Sequence, residues 1–451
     1  MPETLRQAID ATTAAMLRKR GSYKWTVAGP DGFGAAVAEM DFGAAPAILD
    51  ALAALSADAN FGYLSPVLAE DLATACAEFQ HRRFGWDVDP ALIHGLPDVI
   101  RALEIAITHF SRPGSPVILP TPAYMPFLTV PGTLGREIIQ VRMLDDGGLF
   151  TFDLDAIADA FRAGGHLLIF CNPHNPLGRV FTREEIAALT DVVDRHGGRV
   201  FADEIHAPLV YPGLDHIPYA STSDAAAAHA VTATSASKAW NLPGLKCAQV
   251  ILSSEADRRR WEQLGSFVVR GASTPGVVAS IAAYRHGDAW LNEVLGYLDD
   301  SRRLLADLLG RHLPQVRYRP PDGTYLAWLD CTTMELPDSP GALVTDRASV
   351  TVVDGPAFGD GGPGSFRLNF ATPQPILTEM VGRIAAALNA SPTPLSPRPH
   401  HPLRPGAAHQ SVVAATYRIE PSGKIPQPSG QPGAPPRHRG HVHAVTRCCE
   451  H

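Results

Sequence analysis

Thr232-Ala-Thr-Ser-Ala-Ser-Lys238-Ala-Trp-Asn-Leu-Pro-Gly244-Leu-Lys246 is the stretch from which the rest of the chain is read. The apolar run Ala230 to Thr234 reads as a short buried strand, followed by two serines, a lysine and a Pro-Gly turn. A lysine where a strand emerges into a loop can be desolvated and still reach a ligand. Desolvation lowers an amine's pKa and frees its lone pair for a carbonyl, the chemistry of a Schiff base. Lys19, Lys24, Lys246 and Lys424 are the only other lysines, so few side chains compete for that role. From this segment alone a surface lysine after a strand stays equally open.

Outward from Lys238, strands and helices alternate. Pro116–Pro120, Glu137–Met143, Leu167–Cys171, Arg199–Ala202 and Cys247–Leu252 read as strands. Pro46–Leu55, Val67–Phe84, Val99–Phe110 and a helix ending at His196 read as helices. Pro46 suits a first helical turn, and Thr182-Arg-Glu-Glu185 fits a capping box. The alternation predicts an α/β fold with a largely parallel sheet covered on both faces. Tyr124, Asn175, Asp203, His206, Ser235 and Lys238 all fall just after strands, where open α/β sheets bind ligands. Pro2–Arg20 has helical composition, and residues 21–36 read as an irregular arm. After residue 285 the pattern changes to the long helix Trp290–Arg311, the strands Gly323–Leu329 and Ser365–Phe370, and the helix Leu377–Leu388.

The predicted organisation is an N-terminal arm (1–45), a large α/β domain (46–285), a smaller α+β domain (286–390) and a Pro/His-rich tail (391–451). The tail reads as disordered, and truncation after about residue 390 is expected to leave folding and activity intact. His438, His441, His443, Cys448 and Cys449 match no closed zinc motif, so no metal is expected. The 451 residues carry a net charge of −8, which gives no reason to expect nucleic acid or an anionic membrane as partner. No apolar run approaches the ~20 residues of a membrane span, and Met1–Arg20 lacks a signal-peptide core. The six cysteines form no metal spacing or disulfide framework, so free thiols in the cytoplasm are expected.

Seven stretches carry a resemblance: Ala38-Glu-Met-Asp41-Phe42, Gly62-Tyr63, Thr121-Pro-Ala-Tyr124, Asn172-Pro-His-Asn175-Pro-Leu-Gly178, Asp203-Glu-Ile-His206, Ser235-Ala-Ser-Lys238 and Phe366-Arg367-Leu-Asn-Phe370. In this order they resemble the fold-type I pyridoxal 5′-phosphate (PLP) enzymes, and among those the MalY/PatB-type cystathionine β-lyases, or C–S lyases. The resemblance covers roughly residues 20–390. It implies that Lys238 binds PLP as a Schiff base and removes the substrate Cα proton. It further implies that Asp203 pairs with the pyridinium nitrogen, that Tyr124 stacks on the ring, and that Asn175 and His206 bond its phenolic oxygen. Leu96 (through its backbone), Ser235 and Lys246 would hold the phosphate, with Tyr63 reaching in from a neighbouring subunit of a homodimer. Arg367 would grip the substrate α-carboxylate. Read singly, these residues are also an N-cap, ring packing, an Asn-Pro turn, a satisfied histidine and a surface arginine.

Three departures stand out. Pro97 has no N–H to offer a phosphate, and the Asp98 carboxylate would need to face away if its own N–H served instead. Ala36 and Glu39 replace the tryptophan and aspartate often found in the family, near the expected substrate entrance. The activity implied is cleavage of L-cystathionine or related cysteine S-conjugates to thiol, pyruvate and ammonia. An aminotransferase uses the same residues and is the alternative; a regulatory PLP-binding protein is a third.

Overall fold

In the computed structural model of the protein, residues 4–390 are described. A seven-stranded sheet forms the centre, in the spatial order Ile93–Leu96, Ala248–Leu252, Ala230–Thr234, Arg199–Asp203, Leu167–Cys171, Val117–Thr121, Ile138–Arg142. Only Ala248–Leu252 runs against its two neighbours; the other pairings are parallel. The expected α/β class with a mostly parallel sheet is therefore what the chain forms. Val117–Thr121, Leu167–Cys171, Ala230–Thr234 and Ala248–Leu252 are buried at every position. A sheet covered on both faces needs such continuous apolar runs, because neither face meets water.

Helix ends follow their local chemistry. Thr182 Oγ1 accepts from Glu185 N at 3.2 Å, and Glu185 Oε2 accepts from Thr182 N at 2.8 Å, which closes the predicted capping box at the start of Arg183–Arg195. Helix Pro66–Phe84 starts with Ser65 Oγ accepting from Leu68 N at 3.3 Å and ends at Gly85, whose φ of +65° suits a residue without Cβ.

The helical composition at the N-terminus takes the form of two helices, Leu5–Asp10 and Ala14–Arg20, and Thr13 starts the second by accepting from Met16 N at 3.3 Å. Two local readings are corrected. The arm at residues 21–36 contains the helix Tyr23–Thr26 and the two-residue strand Phe33–Gly34, which pairs in parallel with Val350–Thr351. Ile93–Leu96 is an edge strand, hidden in the sequence because His94 and Gly95 interrupt its apolar pattern.

A second sheet is antiparallel throughout, with Ser365–Asn369 between Leu326–Asp330 and Val353–Asp354. The long helix Asp288–His312 and the final helix Gln374–Asn389 bury their apolar stripes nearby, among them Leu298 and Leu305 of the first and Leu377 and Ile384 of the second. Among the described residues no helix is long and apolar enough to cross a membrane. The tail and its histidines and cysteines lie outside the described residues.

Candidate active site

Parallel pairing puts the carboxyl ends of neighbouring strands on one edge. Register pairs Cys171 with Asp203 and Asp203 with Ala233, so the segments after these strands leave the sheet side by side. Lys238 lies four residues past the end of Ala230–Thr234. Its turn is set by Trp240 N donating to Ala236 O at 3.0 Å and Leu242 N to Ser237 O at 2.9 Å. Trp240 is buried and its Nε1 donates to Gly287 O at 3.1 Å, which pins the turn to the core.

Lys238 Nζ donates to the carbonyl of Ala38 at 3.0 Å. Burial, and next the Arg367 charge, lower its pKa to about 8; Glu39 and Asp203 pull the other way. A sizeable share of the amine is therefore neutral near pH 8, as a nucleophile or base requires. Asp203 is buried, and burial raises its carboxyl to about 7 against the N–H of Ile205 and the Lys238 charge. That carboxyl would ionise fully beside an added cation. His206 is buried; burial first, then Lys238 and Arg367, push its pKa well down and keep the ring neutral.

Arg367 comes from the middle strand of the second sheet and is 2% exposed. Its Nη1 donates to Asn175 Oδ1 at 2.8 Å and its Nη2 to Ala36 O at 2.7 Å, while Nε has no partner. The guanidinium lies 5.3 Å from the Phe358 ring centroid. Burial lowers its pKa to about 10, so it stays charged at neutral pH. Among the described residues no carboxylate pairs with it. A buried cation without an anion is costly, and a ligand carboxylate would repair it in bidentate geometry.

The structure thus brings Lys238, Asp203, His206, Asn175 and Arg367 into one electrostatically coupled group. Tyr124 precedes helix Met125–Thr133, its ring edge-to-face with Phe127 at 5.4 Å. Leu96 is the buried last residue of its strand. Ser235 Oγ donates to Cys247 O at 2.7 Å and accepts from Ser237 N at 3.0 Å, so its hydroxyl must turn before it can donate to a phosphate. Lys246 Nζ pairs with Asp98 Oδ2 at 3.0 Å, and Asp98 Oδ1 caps Arg101 N at 2.9 Å. The Asp98 carboxylate therefore does not face away: it occupies the start of helix Val99–His109. Tyr63 is fully exposed, next to the exposed Phe61 and Val67.

Sequence reasoning missed the carbonyls of Ala36 and Ala38, which carry no side-chain signal. It also missed Tyr325, whose hydroxyl donates to the same Ala38 oxygen at 2.9 Å and whose ring meets His206 at 6.1 Å. The strand expected over Gly323–Leu329 begins later, at Leu326–Asp330: Thr324 turns at φ +68°, which places Tyr325 before the strand. A cleft of about 940 Å³ lined by Arg83, Arg183, His216 and Leu295 contains none of these residues, so size does not locate the chemistry.

The family model for aminotransferase class I and II matches residues 31–384. The chain belongs to that family. Within it, the cystathionine β-lyase of Corynebacterium glutamicum is 40% identical over 372 residues, spanning 82% of this chain and 98% of that protein. Cystathionine β-lyase PatB of Bacillus subtilis is 33% identical, over 78% of this chain and 92% of its own length. Cystalysin of Treponema denticola, whose crystal structure contains pyridoxal 5′-phosphate, superimposes with a TM-score of 0.78 at 27% identity, covering 84% of this chain and 98% of that one. The expected resemblance to MalY/PatB-type lyases and the fold-type I architecture are both borne out.

The residues present suit PLP. Asp203 is a buried carboxyl whose pKa burial raises to about 7, and His206 Nδ1 is buried with no partner. Both would be satisfied by a protonated ring nitrogen and a phenolic oxygen, respectively.

Proposed function

We propose that the protein is a PLP-dependent carbon–sulfur β-lyase acting on L-cystathionine or related cysteine S-conjugates, releasing a thiol, pyruvate and ammonia. The observation that carries this reading is the pairing of a depressed-pKa amine, Lys238, with a buried arginine, Arg367, that has no carboxylate partner among the described residues. The relatives named cystathionine β-lyase support the reaction class.

Asp203 would hold the ring nitrogen, Tyr124 the ring face, and Asn175 with His206 the phenolic oxygen. Leu96 N–H, Ser235 and Lys246 would take the phosphate. Bound PLP supplies an electron sink that makes the substrate Cα–H acidic. Arg367 holds the amino acid by its α-carboxylate and so presents Cα to Lys238. The neutral Lys238 amine takes the Cα proton. The electron pair left at Cα expels the β-thiolate, which gains a proton, and the three-carbon fragment hydrolyses to pyruvate and ammonia. His206, kept neutral by its surroundings, adds no competing charge beside Lys238.

The reading extends to assembly. Tyr63, Phe61 and Val67 are exposed within one short stretch of chain, which suits contact with a second copy, and we place Tyr63 at the neighbouring subunit's phosphate in a homodimer. We divide the chain into the arm 1–45, a large domain 46–285 and a small domain 286–390, and place the enzyme in the cytoplasm. The described cysteines Cys76, Cys171, Cys247 and Cys331 are free thiols, in keeping with that compartment.

The test is to add L-cystathionine without a keto acid to purified, PLP-loaded protein and follow pyruvate and thiol. Catalytic, equimolar release is expected, with Lys238→Ala lowering kcat by about 10³-fold or more. Amino-group transfer to an added keto acid with no thiol release would replace the lyase by an aminotransferase.

A further inference from the structure

Residues Ala36–Asp41 run between the loop that carries Lys238 and the strand that carries Arg367, and every backbone carbonyl on the way accepts a hydrogen bond. Ala36 O accepts from Arg367 Nη2 at 2.7 Å. Val37 O and Glu39 O both accept from Asn369 Nδ2, at 2.6 and 2.7 Å. Ala38 O takes Lys238 Nζ at 3.0 Å and the Tyr325 hydroxyl at 2.9 Å. Met40 is clamped on both sides by Asn241, whose Oδ1 accepts its N–H and whose Nδ2 donates to its carbonyl, each at 2.9 Å. Asn241 adopts φ +60°, a left-handed value that asparagine tolerates better than other residues with a Cβ, within the turn that carries Lys238.

Beneath this segment lies Lys24, with no exposed surface. Its Nζ donates to Asp41 Oδ2 at 2.9 Å, Ala371 O at 3.1 Å and Glu39 O at 3.4 Å, which satisfies all three protons. Trp25 Nε1 holds the other Asp41 oxygen at 2.9 Å. The chain passes so close over Lys24 that a Cβ at Gly34 would sit 2.1 Å from the Lys24 carbonyl oxygen. A buried ion pair gives little net stability against an apolar substitute, but it fixes geometry when every donor is matched.

We propose that residues 36–41 act as a tie bar that sets the position of Lys238 relative to Arg367, and that Lys24 is the positioning residue that locks it. The two side chains handle one substrate, its Cα proton and its carboxylate, so their separation decides whether a bound amino acid is held for reaction. This inference rests on the lyase reading above. Lys24 touches neither Lys238 nor Arg367; it acts through the backbone that both of them bond.

The test compares full-length wild type, Lys24→Met, the double variant Lys24→Met/Asp41→Asn, and Asn241→Ala. Lys24→Met leaves a buried carboxylate without its cation and is expected to lower Tm. The double variant removes that unpaired charge while keeping the Trp25 hydrogen bond, and is expected to recover most of the Tm. A tie bar predicts that kcat/KM stays about 10- to 100-fold low in the double variant and in Asn241→Ala, because misplacement near 1 Å costs that much. The second readout is the pH dependence of PLP capture by full-length protein stripped of cofactor, followed by its visible absorption. Loss of the Ala38 acceptor disfavours the charged Lys238 amine, so the midpoint of capture should move to lower pH. A double variant with wild-type kcat/KM and capture midpoint would make Lys24 merely structural and overturn the proposal. If that variant does not fold, Asn241→Ala decides by the same two readouts. Wild-type protein that captures PLP and releases no thiol would refute the lyase reading instead, a separate outcome.

Discussion

Asp203 shows how a single residue records a missing charge. Its carboxyl has a pKa near 7 in the folded chain against 3.8 when exposed. Between those values the folded chain keeps a proton that the unfolded chain has lost. The contribution to stability therefore falls as pH rises from about 4 to 7 and is level above that. The cofactor-free protein is expected to lose up to a few kcal/mol from this residue over that range, at about 1.4 kcal/mol per tenfold change. Urea melts of the wild type and Asp203→Asn at pH 5 and pH 7.5 test it: the asparagine variant should lack the decline. Equal pH dependence in both would mean that Asp203 is solvated or already paired. Lys238 works in the opposite sense. Its pKa is lowered from 10.5 to about 8, so its contribution to stability rises with pH between those values. Arg367→Met is expected to raise KM for the amino acid by about 10- to 100-fold, since a charged hydrogen-bonded contact to the carboxylate is lost. A loss confined to kcat, with KM unchanged, would remove Arg367 from carboxylate binding. At this scale the sequence singled out residues that meet in the fold: Lys238, Asp203, Asn175, His206 and Arg367 come together in one group. What it lacked was their charge state, because burial and neighbours set pKa and neither is local.

Among the elements, the helix Val99–His109 carries the clearest conflict. Its start is where an anion would be held by free N–H groups and the helix dipole. Asp98 already places a carboxylate there, capping Arg101 N and pairing with Lys246. A phosphate at this position must share both with it. Asp98→Asn keeps a capping oxygen and removes the charge, so PLP affinity is expected to rise several-fold with little change in Tm. Equilibrium titration of the stripped protein checks this, and weaker binding would show that Asp98 helps the phosphate through Lys246 instead of competing with it. Of the strands with continuous apolar runs, Leu167–Cys171 and Ala230–Thr234 were placed to the residue and Val117–Thr121 and Ala248–Leu252 to within one, and the capping box at Thr182 formed as its spacing demands. Ile93–Leu96 was not visible, because its two middle residues, His94 and Gly95, are only partly buried and break the apolar run, and Gly95 suits a close approach to Leu72 and Ala272. Leu144–Asp146 and Leu149–Thr151 likewise make a hairpin around Gly147 and Gly148 that a reading by long periodic segments passes over.

For the whole molecule, the proposed shared site makes a prediction that no single chain can satisfy. Lys238→Ala and Tyr63→Ala homodimers should each be poorly active. When the two proteins are mixed, dissociated and reassociated, hybrid dimers regain one site in which Lys238 and the opposite Tyr63 are both intact. Partial recovery of thiol release, with a dimer on size exclusion, is expected. No recovery despite confirmed hybrids would place Tyr63 outside the neighbour's site. The same logic separates assembly from chemistry, since the exposed Phe61 and Val67 beside Tyr63 could be buried in a dimer without either touching substrate.

The sequence by itself determined the α/β class, the order of most of the central elements and the polar residues gathered at the carboxyl ends of their strands. These follow from short-range rules: apolar runs, caps, and the side of a parallel sheet on which strands end. Only the tertiary structure decided how the site is held. Arg367 meets Asn175 from 192 residues away, and Lys238 meets Ala38 from 200. The atoms that join them are backbone carbonyls of residues 36–41, which every residue possesses and which no side-chain pattern marks. Whether a carbonyl faces solvent or an active-site amine depends on the path of the chain through space. That path is fixed here by a buried lysine, Lys24, whose three acceptors lie on Glu39, Asp41 and Ala371.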